Sequence, residues 1–224
     1  MVDYVSAIKK PFQDIQTLAI GTVLGMIPFV SLLISGYALG VGRKVVNGDA
    51  SLPKFSAGEI VPYIKDTVFA LIISLVYELP GIVLLFIGIM AAAGTILAGI
   101  ASGDTAALAS AIMAGIAAGG IFFLLGMVLV LVGGLLATMG VFYYLQSGSL
   151  MAGFNIGGAL KKVLTVPFWV TIIVYFVMAL AYMALFAVLS IIPIIGSLIG
   201  GGLMVYGLSV TGYTILGQVF KETQ

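Results

Sequence analysis

The sequence predicts an all-α polytopic transmembrane bundle, and three observations carry that prediction. Hydrophobic residues make up 62% of the chain and charged residues only 8%, against about 45–50% and about 25% in soluble domains. The charges fall in clusters, leaving long charge-free stretches between them. Within those stretches the apolar residues run continuously, without the period-two alternation of a membrane β-barrel. Helices satisfy their own backbone hydrogen bonds, as a hydrocarbon surrounding demands.

A membrane span takes about 20 residues, and this length divides the chain. Residues 1–14 form an interfacial segment, 15–42 an apolar stretch, and 43–65 a polar loop. Spans are expected over 66–99, 106–146, 165–191 and 194–220. Ser56-x-x-Glu59 has the pattern of a capping box ahead of the first span, and Asp104 is placed to cap the second. The first two spans are longer than a ~30 Å hydrocarbon core needs at ~1.5 Å per residue, so their Ala/Gly-rich ends should tilt or project. Residues 147–162 are more polar and suit the interface.

The stretch 15–42 either spans once or forms a short re-entrant hairpin, because Pro28 in its middle lacks a helical N–H donor. A weak two-half internal repeat favours the hairpin. Ala7-Ile8-Lys9-Lys10-Pro11-Phe12 resembles Ala159-Leu160-Lys161-Lys162 with Pro167-Phe168 beyond, and Ile27-Pro28-Phe29 resembles Ile192-Pro193-Ile194. In each half a Lys-Lys entry leads to an apolar arm, a proline break (Pro28, Pro193) and a second arm. The positive-inside rule agrees, since a hairpin puts all the basic clusters on one, cytoplasmic, face of the cell membrane.

Composition also excludes functions. With no Cys and no His, thiolate and imidazole chemistry is absent, and no metal site or cofactor is expected. No paired carboxylates stand in their place, so the protein is not expected to be an enzyme. A formal net charge of +1 argues against nucleic acid as a partner.

Glu78 is the most informative side chain. It lies about 12 residues beyond Lys65/Asp66, ~18 Å by helical rise, where a carboxylate must face the bundle interior or a wet cavity. With Tyr77 and Pro80 it forms a candidate intramembrane polar site. Beside a proline-broken helix it suits proton or cation binding; equally, it suits a protonated acid hydrogen-bonded to Tyr77 or a backbone carbonyl. Arg43, Lys44, Lys161 and Lys162 are candidate contacts to anionic lipid headgroups, or simple topology-setting charges. Tyr143, Tyr144, Phe168, Trp169 and Tyr213 fall near span ends as interfacial anchors. Glycines four apart (Gly21/Gly25, Gly36/Gly40, Gly115/Gly119, Gly153/Gly157, Gly196/Gly200) allow close helix packing, within the chain or in a homo-oligomer.

The segments Gly36-Tyr37-Ala38-Leu39, Arg43-Lys44-Val45-Val46, Asn47-Gly48-Asp49 and Leu52-Pro53 resemble an uncharacterised prokaryotic, largely archaeal, family, the domain of unknown function 4013. Its "G-Y-x-L-x-V-x-R-x-V-x-x-G" stretch and Leu-Pro are similar here. So are Lys9 to Asp14, Gly148-Ser149 with Phe154, and Ile192 to Gly196. After the Leu-Pro this chain is less acidic than the family, which weakens any role for acids in that loop. The resemblance implies a multi-pass membrane protein and supplies no activity. The residues therefore leave two expectations: a non-enzymatic lipid-interacting, scaffolding or assembly protein, or a small transporter or channel using Glu78.

Overall fold

The computed structural model describes residues 2–28 and 30–223; Met1 of the interfacial segment, Gln224, and Phe29 of the Ile-Pro repeat lie outside them. Among the described residues there are eight α-helices and no strand. They are α1 (Tyr4–Lys9), α2 (Ile15–Gly25), α3 (Ser31–Val46), α4 (Ile60–Ala101), α5 (Thr105–Ser147), α6 (Ile156–Val163), α7 (Val166–Leu189) and α8 (Ile195–Glu222). Four of them, α4, α5, α7 and α8, are long and apolar enough to cross a membrane. The protein is a multi-pass membrane protein built as an all-α bundle.

The chain divides into two compact units, Met1–Leu71 with Met139–Gln224, and Ile72–Thr138. The first holds the two proline-broken hairpins. Pro28 lies in the turn between α2 and α3, and Pro193 in the turn between α7 and α8. At 11 and 16 residues, α2 and α3 reach only ~16 and ~24 Å by helical rise, each too short for a ~30 Å core. The stretch 15–42 thus holds two short helices on either side of the Pro28 turn, and its ends close on each other, since the Lys10 ammonium donates to the Ala50 carbonyl. The α7–α8 hairpin closes in the same way: Lys162 on α6 donates to the Phe220 carbonyl at 2.8 Å. The second lysine of each Lys-Lys pair is almost fully buried, at 3% and 4% exposure. The two-half repeat therefore extends to side-chain contacts.

The second break is the tighter one. The Ile195 amide donates to the Pro193 carbonyl at 2.7 Å, closing a γ-turn on Ile194 at φ 62°, ψ −65°, a strained geometry for a β-branched residue. Gly196 follows because a Cβ there would overlap the Leu189 carbonyl.

Within the first unit α8 is the central helix, packed against α2, α3 and α7. It accepts its neighbours through glycine notches. A Cβ on Gly202 would strike the Thr22 carbonyl of α2, and one on Gly207 the Tyr182 ring of α7. On Gly212 it would come within 2.8 Å of the Tyr175 ring, and on Gly217 within 3.0 Å of Val45 on α3. In return, Tyr206 of α8 fills the notch at Gly21 on α2. The core that results is aromatic: Tyr37, Tyr144, Tyr206, Phe142, Phe168 and Phe220 are among its fully buried side chains.

The second unit is an antiparallel hairpin of α4 and α5, turned at Gly103 (φ 70°), where only glycine adopts the left-handed backbone freely. Asp104 caps α5 as expected, accepting from the Ala106 amide at 2.8 Å. A Cβ at Gly81 would lie 2.7 Å from the Gly126 carbonyl, and one at Gly88 2.8 Å from that of Gly119. Gly81/Gly88 and Gly119/Gly126/Gly133 recur every seven residues, the period that keeps one seam facing a partner helix. The expected 66–99 span lies within a longer α4, which the 3₁₀ turn Ala57–Glu59 introduces. There the Glu59 amide bonds the Ser56 carbonyl at 3.1 Å, so the Ser56/Glu59 pair is joined through its backbone.

Gly202→Ala should destabilise the protein by about 1–3 kcal/mol, because the added methyl meets backbone and not a movable side chain. Gly120→Ala, where a Cβ meets nothing within 4 Å, should instead stabilise by about 0.5–1 kcal/mol. Thermal melting of the detergent-solubilised protein, followed by helical circular dichroism, checks both signs.

Candidate functional site

The polar groups of the first unit converge at one end. Lys162 lies against the end of α8, Lys10 against the segment after α3, and a cavity of about 500 Å³ joins those ends, lined by Lys10, Asp49, Gln218, Lys221 and Glu222 among others. The Asp3 amide also donates to Gln218 Oε1 at 2.6 Å. With Arg43 and Lys44 in the last turn of α3, and Lys54 beside them, the basic clusters lie together. Burial draws the Lys10 and Lys162 ammonium groups below the ordinary lysine range.

The tightest constellation is Arg43, Asp66 and Tyr144, from α3, α4 and α5. Arg43 donates from Nη2 to Asp66 Oδ1 at 2.8 Å, and the Tyr144 hydroxyl donates to the same oxygen at 2.5 Å. Asp66 is 3% exposed, so the pair supplies the hydrogen bonds a buried carboxylate needs. Phe69 meets the Tyr144 ring edge-on at 5.5 Å. Lys44 points the other way, to Asp49 at 3.3 Å and the Ser51 hydroxyl at 2.8 Å. Asp49 is held down to about 2 by the Ser51 amide and hydroxyl and by Lys44.

These side chains border a cavity of about 340 Å³ lined by Gly40, Arg43, Lys44, Pro53, Lys54, Ser56, Glu59, Pro62, Tyr63 and Asp66. Its roof is fixed from below: the Tyr37 hydroxyl donates to the Pro53 carbonyl at 2.9 Å, and Phe55 stacks on the Tyr37 ring at 4.2 Å. Three cationic side chains and two carboxylates line it, and one carboxylate, Asp66, is already paired with Arg43 and Tyr144 through Oδ1.

The expected residues are distributed unevenly. Arg43 and Lys44 border this cavity, and Lys161 is exposed at the end of α6. Lys162 is a correction. It turns inward, donating to the Phe220 carbonyl and the Thr223 hydroxyl (3.2 Å) and sitting 4.1 Å over the Phe220 ring, so it caps α8 and offers lipid nothing. Tyr144 and Phe168 are likewise buried and not interfacial anchors, while Trp169 is 48% exposed. Tyr213 packs on the Phe142 ring at 5.9 Å.

Glu78, Tyr77 and Pro80 lie in the other unit. The helix is not broken there: α4 runs on through Pro80, which removes only the bond its missing N–H would give the Val76 carbonyl. Gly133 approaches the Tyr77 carbonyl, and Glu78 Oε1 would lie 3.5 Å from a Cβ on Gly134. The four-apart glycines are mostly used within the chain. Gly21/Gly25 face α8, Gly36/Gly40 face Tyr63, Gly115/Gly119 face α4, and Gly196/Gly200 face α7, while Gly157 meets open space.

Asp66 and Lys10 went unmarked in the sequence. A signal existed for Asp66, an acid one residue from Lys65 but on another helical face. Asp66→Asn should cost about 1–2 kcal/mol, below the ~3–5 kcal/mol of a fully buried pair because Arg43 is partly solvated. Tyr144→Phe should cost less, and melting of the two variants beside the double variant would show non-additivity if the triad acts as one unit.

No curated protein and no solved structure matches the chain. A family model described as protein of unknown function (DUF4013) matches residues 19–200, from the first hairpin through the α7–α8 break, and the chain belongs to that family.

Proposed function

We propose that this is a non-enzymatic protein of the cell membrane that engages anionic lipid at its basic end, with that end cytoplasmic. One observation carries the reading: the basic clusters on α1, α3, α6 and α8 meet at one end of a unit whose helices are otherwise apolar. Cations gathered on one face favour the cytoplasmic side, and exposed Lys/Arg near an anionic surface contribute about 1 kcal/mol each. Lys9, Lys54, Lys65, Lys161 and Lys221 are the exposed ones. A scaffolding or assembly role is compatible with this contact. Homo-oligomerisation is the weaker partner reading, because it must rely on glycines in open space such as Gly94, Gly120 and Gly157.

Adding phosphatidylglycerol to the detergent-solubilised protein should raise its melting temperature more than phosphatidylcholine does, and salt should erase the difference. Equal shifts from both lipids would sink the reading. Protease access to an N-terminal tag tests the orientation, which fails if the tag is cut from outside.

The second reading is a transporter using Glu78, supported by the half-buried position of its carboxylate beside Gly134 of α5. In proteoliposomes Glu78→Gln should then abolish a proton or cation flux that the native chain supports. Absence of any such flux with native protein removes this reading.

A further inference from the structure

The polar cavity beside Arg43 is not isolated. A second cavity of about 330 Å³, walled by Ile20 and Leu24 of α2, Leu33 of α3, Phe55 and Ile60, adjoins it, and Ser56 and Tyr63 line both. One chamber is cationic and the other apolar, and both are of ligand-binding size. Tyr63 stands at the junction. It is 5% exposed, and its buried hydroxyl has no hydrogen-bond partner among the described residues, although buried hydroxyls ordinarily find one.

We propose that the joined cavities hold one phosphate-bearing lipid. The phosphate sits against Arg43 and Lys54 and accepts from Tyr63, and one acyl chain lies along Ile20, Leu24, Leu33 and Phe55. The charge balance favours an anion: the lining sets Arg43, Lys44 and Lys54 against Glu59 and Asp66, and with Arg43 paired to Asp66 the excess positive charge rests on Lys54 and the partly exposed Lys44. The exposed Ile20 and Ile60, at 36% and 41%, give an acyl chain a sideways entry from the bilayer. The Tyr37–Pro53 hydrogen bond and the Tyr37–Phe55 stack form the roof of the site. This site deepens the lipid reading above and rests on it.

The test is native mass spectrometry of the full chain released from nanodiscs of equal parts phosphatidylglycerol and phosphatidylcholine. One phosphatidylglycerol should remain on each chain. Lys54→Gln should lower its retention about fivefold, the loss of one cation contact. Ile20→Trp, at an exposed position that tolerates bulk, should lower retention of every lipid by filling the groove. A phosphatidylglycerol with a photoreactive acyl chain should label residues 20–33 and 55–63 in the native protein, which keeps the result independent of variant folding. Inorganic phosphate and glycerol phosphate should not displace the lipid.

Displacement by inorganic phosphate, with Ile20→Trp silent, would mark a free-anion site and overturn the lipid assignment. Equal retention of phosphatidylcholine, or labelling confined to other helices, would overturn it as well. So would a second copy occupying the groove, seen as dimer mass without lipid. If anionic lipid still stabilises the protein in melting while both variants retain lipid normally, this site falls and the broader reading stands. If melting shows no lipid preference, the broader reading falls first.

Discussion

Everything in the first unit depends on how closely other helices approach α8. In lipid the hydrophobic effect does not drive helix against helix, so dispersion contacts must do it, and these decay within an ångström of optimal distance. The chain meets that constraint by setting rings into glycine notches: Tyr206 at Gly21, Tyr182 at Gly207, Tyr175 at Gly212, Tyr63 at Gly40. An aromatic ring supplies a large rigid contact area, and a glycine lets that area reach the opposing backbone. This explains why α8, with so many glycines, is the most buried of the four long helices: 44% of its most apolar stretch is buried, against 11–17% for the others.

Such packing fixes distance but leaves sliding along the helix axis undetermined, and the two buried lysines fix it. Lys10 ties the entry of the first hairpin to its exit at Ala50, and Lys162 ties the entry of the second to Phe220. A desolvated ammonium is costly unless its hydrogen bonds are made, so each lysine accepts only the register that presents a carbonyl. At α8 the cation also meets the negative end of the helix dipole and the Phe220 ring. Each Lys-Lys pair thus keeps one member exposed and fixes register through its buried one.

That division limits what the sequence reveals. Helix class, four long spans and the Pro28 and Pro193 turns are legible because they follow from length, continuity and the missing proline donor. The equivalence of Lys9 and Lys10 is not, since neighbouring lysines differ only by a 100° rotation about a helix that the sequence does not orient. Asp66 beside Lys65 hides for the same reason. Pro80 misleads in the opposite direction: the proline turns at 28 and 193 lie where apolar arms end, whereas Pro80 sits inside a 42-residue helix whose seven-residue glycine seam against α5 holds it straight enough to continue. Searching four-residue glycine spacing touches that seam only at Gly119, through Gly115/Gly119, and misses its period, because Gly119, Gly126 and Gly133 are seven apart.

The two units therefore use polar groups for opposite ends. In Ile72–Thr138 the glycine seam closes α4 on α5, and the half-buried Glu78 lies beside Gly134 at ordinary contact distance. In the other unit Arg43 and Lys54 border an open chamber; Asp66 pairs with Arg43 and Asp49 with Lys44, and Lys54 stays exposed. Unbalanced cations beside an apolar wall attract whatever carries an anion and a hydrocarbon together, and in a bilayer that chemistry is always at hand. The residue that joins the two chambers, Tyr63, owes its place to Gly36 and Gly40, which accept its backbone and ring. The same glycine–aromatic packing that builds the bundle thus also leaves a hydroxyl at the chamber's edge, and the candidate binding site is a by-product of the packing rule and not an addition to it.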